Sequence, residues 1–280
     1  MLKTLSFIAR HPLTKDRPLA AFSRFAKWQI RSRLKNEVVV PWIGGAKLVV
    51  RSGMTGATGN IYCGLHEFAD MAFLLHLLRP GDLFVDVGAN IGSYTVLASA
   101  VVGADAIAFE PDPETMAALK KNVAINGIED RVTTVEAAVG REPGKTRFTV
   151  GLDTVNHVAH EEDADTREVE VTTLDHVLDG RDPVMIKLDV EGFEADVIAG
   201  SARTLQKESL VAVATECDEG DVIRPLMDAG FARVNYQPVA RQLSEKFEPG
   251  QHNALYLRNS SMVARIVTEA PRREILGKAI

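Results

Sequence analysis

One stretch, residues 82–94 (Asp-Leu-Phe-Val-Asp-Val-Gly-Ala-Asn-Ile-Gly-Ser-Tyr), constrains the fold more than any other part of the chain. Residues 83–85 are an apolar run typical of a buried parallel strand. A tight glycine-containing turn follows at residues 88–92, and residues 91–102 continue with a helical pattern. A strand, a glycine turn and a helix form the first half of a nucleotide-binding βαβ unit.

The chain beyond this turn alternates between strand-like and helix-like segments. The predicted strands are 83–86, 106–110, 132–135, 184–188, 210–215, 231–236 and 253–258, and the predicted helices are 92–102, 113–125, 194–206 and 221–229. Repeated alternation predicts an α/β fold, with a mostly parallel sheet and helices on both faces. No helical pattern separates the last two strands, so we expect them to pair antiparallel. Between the third and fourth strands, residues 146–150 and 168–171 are β-like and flank an acidic loop at 151–166.

The segments that flank this alternation are predicted less regularly. Residues 37–43 and 47–51 indicate a hairpin, residues 53–59 a flexible glycine-rich rim loop, residues 67–78 an amphipathic helix and residues 260–276 a final helix. Residues 1–17 indicate a loose or short helical lead-in. The predicted domain division is 1–60 for an N-terminal basic helix and hairpin, 61–259 for the catalytic domain and 260–280 for a C-terminal helix.

Residues 19–35 suit a basic amphipathic helix whose apolar positions lie near one face. These positions are Phe22, Phe25, Ala26, Ile30 and Leu34. Residues 1–36 carry nine Lys or Arg against one acid, so this segment is +8. Either the helix packs on the domain with its cations solvated, or it contacts a membrane surface or an acidic partner.

Composition excludes several classes of protein. The whole chain has a net charge of −6, which leaves about −14 outside the basic segment and argues against a nucleic-acid binder. No apolar run is long enough to span a membrane, and the apolar N-terminal run is too short for a signal peptide. Cys63 and Cys217 lack metal or redox spacing and are predicted to be reduced thiols. The expected location is therefore cytoplasmic.

The glycine turn departs from the dinucleotide fingerprint Gly-x-Gly-x-x-Gly. Asn90 stands where the second glycine is needed and Ser93 where the third is needed. The carboxylate of Asp86 would repel a pyrophosphate but would attract a cationic ligand. S-adenosylmethionine has a sulfonium, an ammonium group and no phosphate, and it therefore fits the charge of this turn. The alternative for Asp86 is a solvated acid at a strand end.

Glu110 ends the second predicted strand and strengthens this interpretation. At the carboxyl edge of the sheet, its carboxylate can accept hydrogen bonds from both ribose hydroxyls of a nucleoside. Dinucleotide sites share this feature, so it is informative only together with Asp86 and the turn. The alternative is an acid that stabilises the start of the next helix.

Five motifs together resemble the FkbM-type class I S-adenosylmethionine-dependent methyltransferases. They are residues 86–92 (Asp-Val-Gly-Ala-Asn-Ile-Gly), 109–113 (Phe-Glu-Pro-Asp-Pro), 121–127 (Lys-Asn-Val-Ala-Ile-Asn-Gly), 173–175 (Thr-Leu-Asp) and 186–192 (Ile-Lys-Leu-Asp-Val-Glu-Gly). The resemblance spans about residues 65–258. It implies a Rossmann-like seven-stranded sheet with a reversed last strand, and methyl transfer to a hydroxyl of a sugar, polyketide or other small metabolite.

The expected cofactor site follows from these motifs and from the resemblance. The turn and the second strand supply most of its residues, and the resemblance adds Glu67, an acid before the first strand that can equally be a helix N-terminal acid. The fold places Glu136 and Ala137 near the adenine. The full predicted set is Glu67, Asp86, Gly88, Asn90, Gly92, Ser93, Glu110, Asp112, Glu136 and Ala137.

Candidate catalytic residues follow the fourth strand. A hydroxyl acceptor loses its proton as the new bond forms, so a general base is useful. Asp189 is the first candidate, Glu191 lies two residues later, and Lys187 would share their side of the strand. A purely structural salt bridge among the three is the alternative.

Histidines are further candidates for the base. His252 precedes the last strand, which can border the acceptor pocket, and it is the preferred histidine. His157 and His66 are weaker candidates. The acidic loop (Asp153, His157, His160, Glu161, Glu162, Asp163) matches no dedicated metal spacing, so no metal requirement is predicted.

Two other functions remain open at this point. A dinucleotide-dependent oxidoreductase shares the fold but not the turn, and a non-catalytic S-adenosylmethionine-binding module would not need the full set of motifs. The expected partner is a small-molecule or glycan hydroxyl acceptor. Residues 53–60, residues 151–166 and the basic N-terminal segment are expected to form its pocket. The sequence indicates neither the identity of the acceptor nor the oligomeric state.

Overall fold

The computed structural model describes residues 2–149, 157–159, 165–217, 219–244 and 253–280, with the side chains of residues 55 and 56 left out. The N-terminal part contains four helices and one hairpin. Its elements are α1 (Leu2–Arg10), α2 (Pro18–Leu34), β1 (Val38–Pro41), β2 (Lys47–Val50), α3 (Thr55–Cys63) and α4 (Phe68–Leu77). The predicted hairpin is confirmed, since β1 and β2 pair antiparallel around a turn at residues 43–45.

The alternating part begins at the predicted first strand. Its first elements are β3 (Leu83–Val87), α5 (Ser93–Val96), β4 (Asp105–Phe109), α6 (Pro113–Asn126), β5 (Val132–Val135), β6 (Ala138–Val139), β7 (Gly144–Thr149) and β8 (Thr166–Thr172). The following elements are α7 (Leu174–Val177), β9 (Pro183–Leu188), α8 (Glu194–Ala199), β10 (Ala212–Thr215), α9 (Gly220–Asp228), β11 (Ala232–Gln237), β12 (Gln242–Ser244), β13 (Ala254–Leu257), α10 (Ser260–Glu269), β14 (Glu274–Ile275) and β15 (Lys278–Ala279).

The main sheet has the order β12-β11-β13-β10-β9-β3-β4-β5. Strands β10, β9, β3, β4 and β5 are parallel, and β13 runs antiparallel to both β10 and β11. All seven predicted strands lie in this sheet, and the last of them is reversed. The sheet nevertheless has eight strands in the described residues, because Gln242–Ser244 adds an edge strand beside β11 that has no counterpart among the predictions.

The carboxyl ends of β3, β4, β9 and β10 meet at one edge of the sheet, because these strands are parallel neighbours. In an open α/β sheet this edge is where ligands bind. Apart from the main sheet, β6, β8 and β7 form a small three-stranded sheet.

The predicted rim loop at residues 53–59 is wrong, since α3 occupies most of it. The helix is stabilised by packing rather than propensity: Tyr62 and Cys63 are buried, and the Arg24 guanidinium donates two hydrogen bonds to the Tyr62 carbonyl at 2.9 and 2.7 Å. Gly59 is required within the helix, because a Cβ there would lie 1.7 Å from Nδ1 of His66.

Three other helix predictions need correction. Residues 70–77 are buried without exception, so α4 is a core helix and not an amphipathic one. Helix α8 ends at Ala199, since Gly200 packs so closely on the Gly140 carbonyl that a Cβ would lie 2.0 Å from its oxygen. Helix α10 ends at Glu269 shortly before Pro271, and the chain finishes as the hairpin β14–β15.

The predicted helix 92–102 forms as α5 followed by a π-helical segment, Leu97–Val102.

Helix α2 packs on the protein through Ala21 and Trp28, and two residues of the predicted apolar face, Phe22 and Phe25, are half-buried against the same cluster. Of the predicted apolar face, Ile30 and Leu34 are 61% and 78% exposed, and Leu19 is 81% exposed. Residues of α1, α2 and the hairpin share one apolar cluster with residues of β4 and α6. The N-terminal segment is therefore packed into the body of the protein. No helix in the described ranges has the length and apolarity required to cross a membrane.

Candidate functional site

Asp86, near the end of β3, stabilises the segment that contains the glycine turn. This carboxylate is buried, and its Oδ2 accepts hydrogen bonds from the backbone N–H (3.1 Å) and the hydroxyl (2.6 Å) of Thr95. Burial raises the pKa of Asp86 to about 6, and the Lys187 ammonium opposes that rise. The second oxygen of Asp86 has no hydrogen-bond partner in the described residues, although the residue lines a cavity.

Gly88 brings the turn against the end of β9. Its φ is +78°, and a Cβ would lie 1.9 Å from the carbonyl oxygen of Asp189. Only glycine permits this approach without a shift of backbone. The backbone N–H groups of Gly88 and Ala89 both donate to the Phe109 carbonyl, at 3.1 and 2.8 Å. The turn is thereby fixed to two neighbouring strands.

Glu110 and Asn90 face each other across the carboxyl edge. The backbone N–H of Asn90 donates to Oε2 of Glu110 at 3.0 Å, and the backbone N–H of Asp112 donates to Oε1 at 2.9 Å. Burial raises the pKa of Glu110 to about 7. Asn90 adopts a left-handed φ of +50°, a conformation that Asn tolerates better than most residues. The carboxylate of Glu110 is thus oriented by backbone and retains further acceptor capacity towards the cavity.

A cavity of about 310 Å³ lies over these residues. It is lined by most of the predicted site and by several residues that were not predicted. The predicted residues in its wall are Glu67, Asp86, Gly88, Asn90, Ser93, Glu110, Ala137, Asp189 and Glu191. This volume is within the range of small-molecule sites.

Three predicted cofactor residues do not line this cavity. Gly92 has a φ of +83° and begins α5, where a Cβ would crowd Leu119 at 3.1 Å. Asp112 caps α6 by accepting from the backbone N–H and hydroxyl of Thr115, both at 2.9 Å. Glu136 is half-exposed and pairs with Lys120 at 3.4 Å. Each has a structural task in shaping the neighbouring turn or helix.

Lys187 and Asp189 form a partly buried ion pair at the end of β9, with Nζ 2.5 Å from Oδ2. The Lys187 side chain is 2% exposed, and its ammonium lies 4.7 Å from the centroid of the Tyr94 ring. Burial lowers the pKa of Lys187, but the carboxylates of Asp189, Glu67 and Asp86 outweigh that effect and leave its pKa above the ordinary value. The lysine is therefore a permanent buried cation beneath the cavity.

A hydrogen-bond network that includes Glu67 and Asp70 lies close to Lys187. Glu67 accepts a very short hydrogen bond from the Tyr94 hydroxyl, and the amide of Asn253 reaches Oε2 of Glu67 at 3.4 Å and Oδ2 of Asp70 at 3.1 Å. Burial, followed by the charge on Glu67, raises the pKa of Asp70 to about 7. This network packs Tyr94 beneath the Lys187 ammonium, so it restricts the position of the lysine.

Glu216 is the clearest site residue that was not predicted. It follows β10 and lines the cavity, and its carboxylate lies within 4.8 Å of those of Asp189 and Glu191. Burial of its carboxyl group and the charge on Asp189 raise the pKa of Glu216 to about 7. The same strand-end rule that identifies Asp86 and Asp189 identifies Glu216. Tyr94 and Asn253 had no comparable signal, because their roles depend on contacts that are distant in sequence.

Glu191 lies on the turn after β9 with a φ of +47°. Burial and the charges of Asp189 and Glu194 raise the pKa of its carboxyl group. Asp189, Glu191 and Glu216 form the one cluster in the described ranges with the donor set and spacing to hold a divalent cation. Such clusters also occur without an ion, and the predicted independence of metal remains a prediction.

The three histidine candidates differ in position. His66 lines the cavity and its ring packs on Phe7 at a centroid distance of 5.0 Å. The backbone N–H of His157 donates to the Thr149 hydroxyl at 2.8 Å, which ties this histidine to the edge of the small sheet. His252 lies outside the described residues, so its predicted role as a base is untested.

The cavity as a whole has the chemistry that S-adenosylmethionine requires. Carboxylates of Asp86, Glu67 and Asp189 around it suit a cationic ligand, while Glu110 suits a ribose diol. Small and aromatic residues, among them Ala137, Ala138 and Phe148, form an apolar wall near Glu110 that suits an adenine ring.

Comparisons with known proteins agree with this geometry. The family described as "Methyltransferase FkbM domain" matches residues 86–232, which is more than half of the chain. A 31-O-demethyl-FK506 methyltransferase from Streptomyces tacrolimicus is 31% identical over 182 residues, which are 60% of this chain and 68% of that protein. A hexuronic acid methyltransferase from Haloferax volcanii is 26% identical over 161 residues, 56% of this chain and 66% of that protein.

Solved structures resemble the chain more distantly. An S-adenosylmethionine-dependent O-methyltransferase from Thermotoga maritima has a TM-score of 0.38 and 18% identity, and covers 68% of this chain and 64% of its own. A precorrin-6y C5,15-methyltransferase from Geobacter metallireducens has a TM-score of 0.41 and 15% identity, and covers 69% and 87%.

Proposed function

Because this chain belongs to the FkbM methyltransferase family, we propose that it transfers a methyl group from S-adenosylmethionine to a hydroxyl oxygen of a small metabolite, sugar or glycan. The predicted resemblance and the predicted cofactor are both confirmed by this membership. Transfer to oxygen and the class of acceptor are the proposed part. In the relatives, one name specifies a 31-O-demethyl substrate and another a hexuronic acid, and both fit a hydroxyl acceptor.

We assign cofactor binding to the residues that line the cavity at the carboxyl edge. Asp86, Gly88, Asn90 and Ser93 belong to the turn after β3, and Glu110 would accept from the ribose hydroxyls. Glu67 and Ala137 complete the set. When bound, S-adenosylmethionine supplies an electrophilic methyl group on a positively charged sulfur that is already a good leaving group.

Asp189 is assigned as the group that takes the proton of the acceptor hydroxyl. Two features support this role: it lines the same cavity as Asp86 and Glu110, and Lys187 fixes one of its oxygens at 2.5 Å. The fixed oxygen orients the carboxylate, and the other oxygen remains for a hydrogen bond to the acceptor. Proton removal makes the acceptor oxygen a stronger nucleophile, which is general base catalysis.

The protein contributes mainly alignment and exclusion of water. The backbone of Gly88 lies directly against the Asp189 carbonyl, and the Asp189 N–H donates to the Val87 carbonyl at 3.0 Å, so the cofactor turn is held beside the base. Holding the reacting groups at the correct distance and orientation removes much of the entropic barrier to a displacement reaction. Glu191 and Glu216 are assigned to the acceptor side of the cavity, where they can receive hydrogen bonds from further hydroxyl groups.

The domain division at residues 1–60, 61–259 and 260–280 is retained as a proposal, with the N-terminal part as an extension that packs on the catalytic part.

The single observation that carries the proposal is the presence of Asp86, Glu110 and the Lys187–Asp189 pair around one cavity. The direct test is incubation of the protein with methyl-labelled S-adenosylmethionine and fractionated metabolites. Labelled product that NMR identifies as a methyl ether supports the proposal. Label on nitrogen or carbon, or no labelled product from a protein that binds S-adenosylhomocysteine, contradicts O-methyl transfer.

A further inference from the structure

A second cavity, of about 920 Å³, adjoins the first. It lies between α1, the start of α4 and the turn that joins β11 to β12. His66 and Glu67 line both cavities, so the two share a wall. The proposed methyl-transfer site therefore borders a larger space that the cofactor assignment leaves unused.

The second cavity also lies at the reactive edge of the sheet. Strand β13 is antiparallel to both β10 and β11, so β10 and β11 run in the same direction. The end of β11, at Tyr236 and Gln237, is consequently at the same edge as Glu216 after β10. The two cavities therefore lie at the same edge of the sheet and adjoin at His66 and Glu67.

The wall that α1 contributes is firmly attached. Nδ1 of His11 accepts from the Leu13 backbone N–H at 3.2 Å, so its Nε2–H donates to the His66 carbonyl at 3.2 Å. Burial lowers the pKa of His11 to about 4, which keeps this ring neutral. Lys278 binds the Pro12 carbonyl at 2.6 Å from the other side. The segment is therefore held in place against the start of α4.

Two cations line this wall. Arg10 and Lys15 are exposed at the second cavity, and neither has an ion-pair partner within the part of the chain that the structure describes. The acids of the same cavity are already bonded, because Glu67 accepts from Tyr94 and Asp70 accepts from Asn253. The first cavity, by contrast, carries Asp189, Glu191 and Glu216. The second cavity therefore carries two exposed cations beside acids that already accept hydrogen bonds, whereas the first cavity carries three clustered carboxylates, one of them paired with Lys187.

We propose that the second cavity binds the methyl acceptor and that the acceptor carries a carboxylate or phosphate group, which Arg10 and Lys15 hold. This inference rests on the proposed function and adds the substrate class. The charges also fix the orientation of the acceptor. Its anionic group is repelled by the carboxylates of the first cavity and attracted by the two cations, so a hydroxyl group is directed to Asp189.

The test measures binding to the complex of the protein with S-adenosylhomocysteine, by calorimetry at low salt. The probes are matched acidic and neutral compounds: D-glucuronate with D-glucose, 4-hydroxybenzoate with 4-hydroxybenzamide, and glycerol 3-phosphate with glycerol. We expect at least one acidic compound to bind about tenfold or more tightly than its neutral partner, which is the effect of about 1.4 kcal/mol of charge interaction. The sugar and phosphate pairs distinguish a carboxylate from a phosphate.

Reversing the charges of Arg10 and Lys15 tests whether these two residues cause the tighter binding of acidic compounds. The double variant Arg10→Glu/Lys15→Glu should weaken binding of the acidic compound by about tenfold or more. The matched control is Lys3→Glu/Lys35→Glu, which makes the same change in net charge at exposed positions outside both cavities. It should change binding by less than about twofold.

Two results overturn the inference: no acidic compound binds more tightly than its neutral partner, or the two double variants weaken binding equally. Failure of the proposed function is visible separately, since the labelling experiment would then give no methyl ether, whether or not an acidic compound binds more tightly than its neutral partner.

Discussion

The ammonium group of Lys187 lies 2.5 Å from Oδ2 of Asp189, and only 2% of that lysine side chain is exposed. This buried cation beside a carboxylate in the wall of the cavity has two effects. It holds one oxygen of Asp189 in a fixed direction, and it offsets the negative charge of the neighbouring acids. The same pair thus explains how several carboxylates coexist at one sheet edge, and it leads to the first two predictions.

Replacement of Asp189 by Asn should abolish proton removal while the cavity keeps its shape. We expect kcat for methyl transfer to fall by about 100-fold to 10,000-fold, the usual contribution of a general base. Affinity for S-adenosylhomocysteine should change by less than about threefold, because the amide is nearly isosteric. Asp182→Asn is the matched control, since this exposed acid precedes the opposite end of β9 and pairs with Lys207. Equal kcat in the two variants contradicts the assignment of the base.

Replacement of Lys187 by Met should change the pH dependence of the reaction. Charge interaction with Lys187 holds down the pKa of both Asp86 and Glu216, so its loss allows both to rise above about 6 and about 7. Carboxylates must be ionised to attract the sulfonium and to accept protons. The acid limb of the kcat/KM profile should therefore move to higher pH. A profile that keeps its position, in a variant whose melting curve shows that it is folded, contradicts this role.

Glu110 links cofactor binding to pH. Its pKa in the free protein is about 7, because burial favours the neutral form. Ribose hydroxyls donate to the ionised form, so the complex holds fewer protons than the free protein and affinity rises with pH up to and just above 7. Calorimetry in buffers of different ionisation enthalpy should detect proton release. Glu110→Gln should weaken binding by about tenfold to 100-fold and remove the part of the pH dependence near pH 7 that Glu110 contributes.

Helix α2 has an unpartnered apolar face that tests the predicted membrane contact. Leu19, Ile30 and Leu34 are all more than half exposed, beside several Lys and Arg residues. If α2 binds a membrane surface, the protein should cosediment with vesicles that contain phosphatidylglycerol and cosediment more weakly with neutral vesicles. Leu19→Ser/Ile30→Ser/Leu34→Ser should abolish it, whereas Met227→Ser, at an exposed apolar residue on α9, should not. Absence of cosedimentation in the unaltered protein supports the alternative of a solvated helix.

The sequence predicted the alternating core well, because buried parallel strands are continuous apolar runs and their helices end at recognisable residues. It failed where tertiary packing overrides local preference. The glycine-rich residues of α3 form a helix because Arg24 and the N-terminal core hold them there. The eighth strand, β12, has only three residues and depends on pairing with β11.

The site was predictable to the extent that it consists of strand-end residues. Asp86, Glu110 and Asp189 lie at or just after the ends of apolar strand segments. Because these strands were predicted to be parallel, the three acids could be placed at the same edge of the sheet. Tyr94 and Asn253 were not predictable, since Asn253 acts on Glu67 across 186 residues of sequence. Asp112 belongs to a predicted motif beside the cavity and serves as the N-cap of α6, and its predicted contact with the cofactor stays a prediction.

The most direct test of the central claim is calorimetric titration of the unaltered protein with S-adenosylhomocysteine and, separately, with NAD. Asp86 and the absence of the second glycine favour a cationic cofactor over a pyrophosphate. We predict saturable binding of S-adenosylhomocysteine at one site per chain and no detectable binding of NAD. Binding of NAD without binding of S-adenosylhomocysteine would contradict the account.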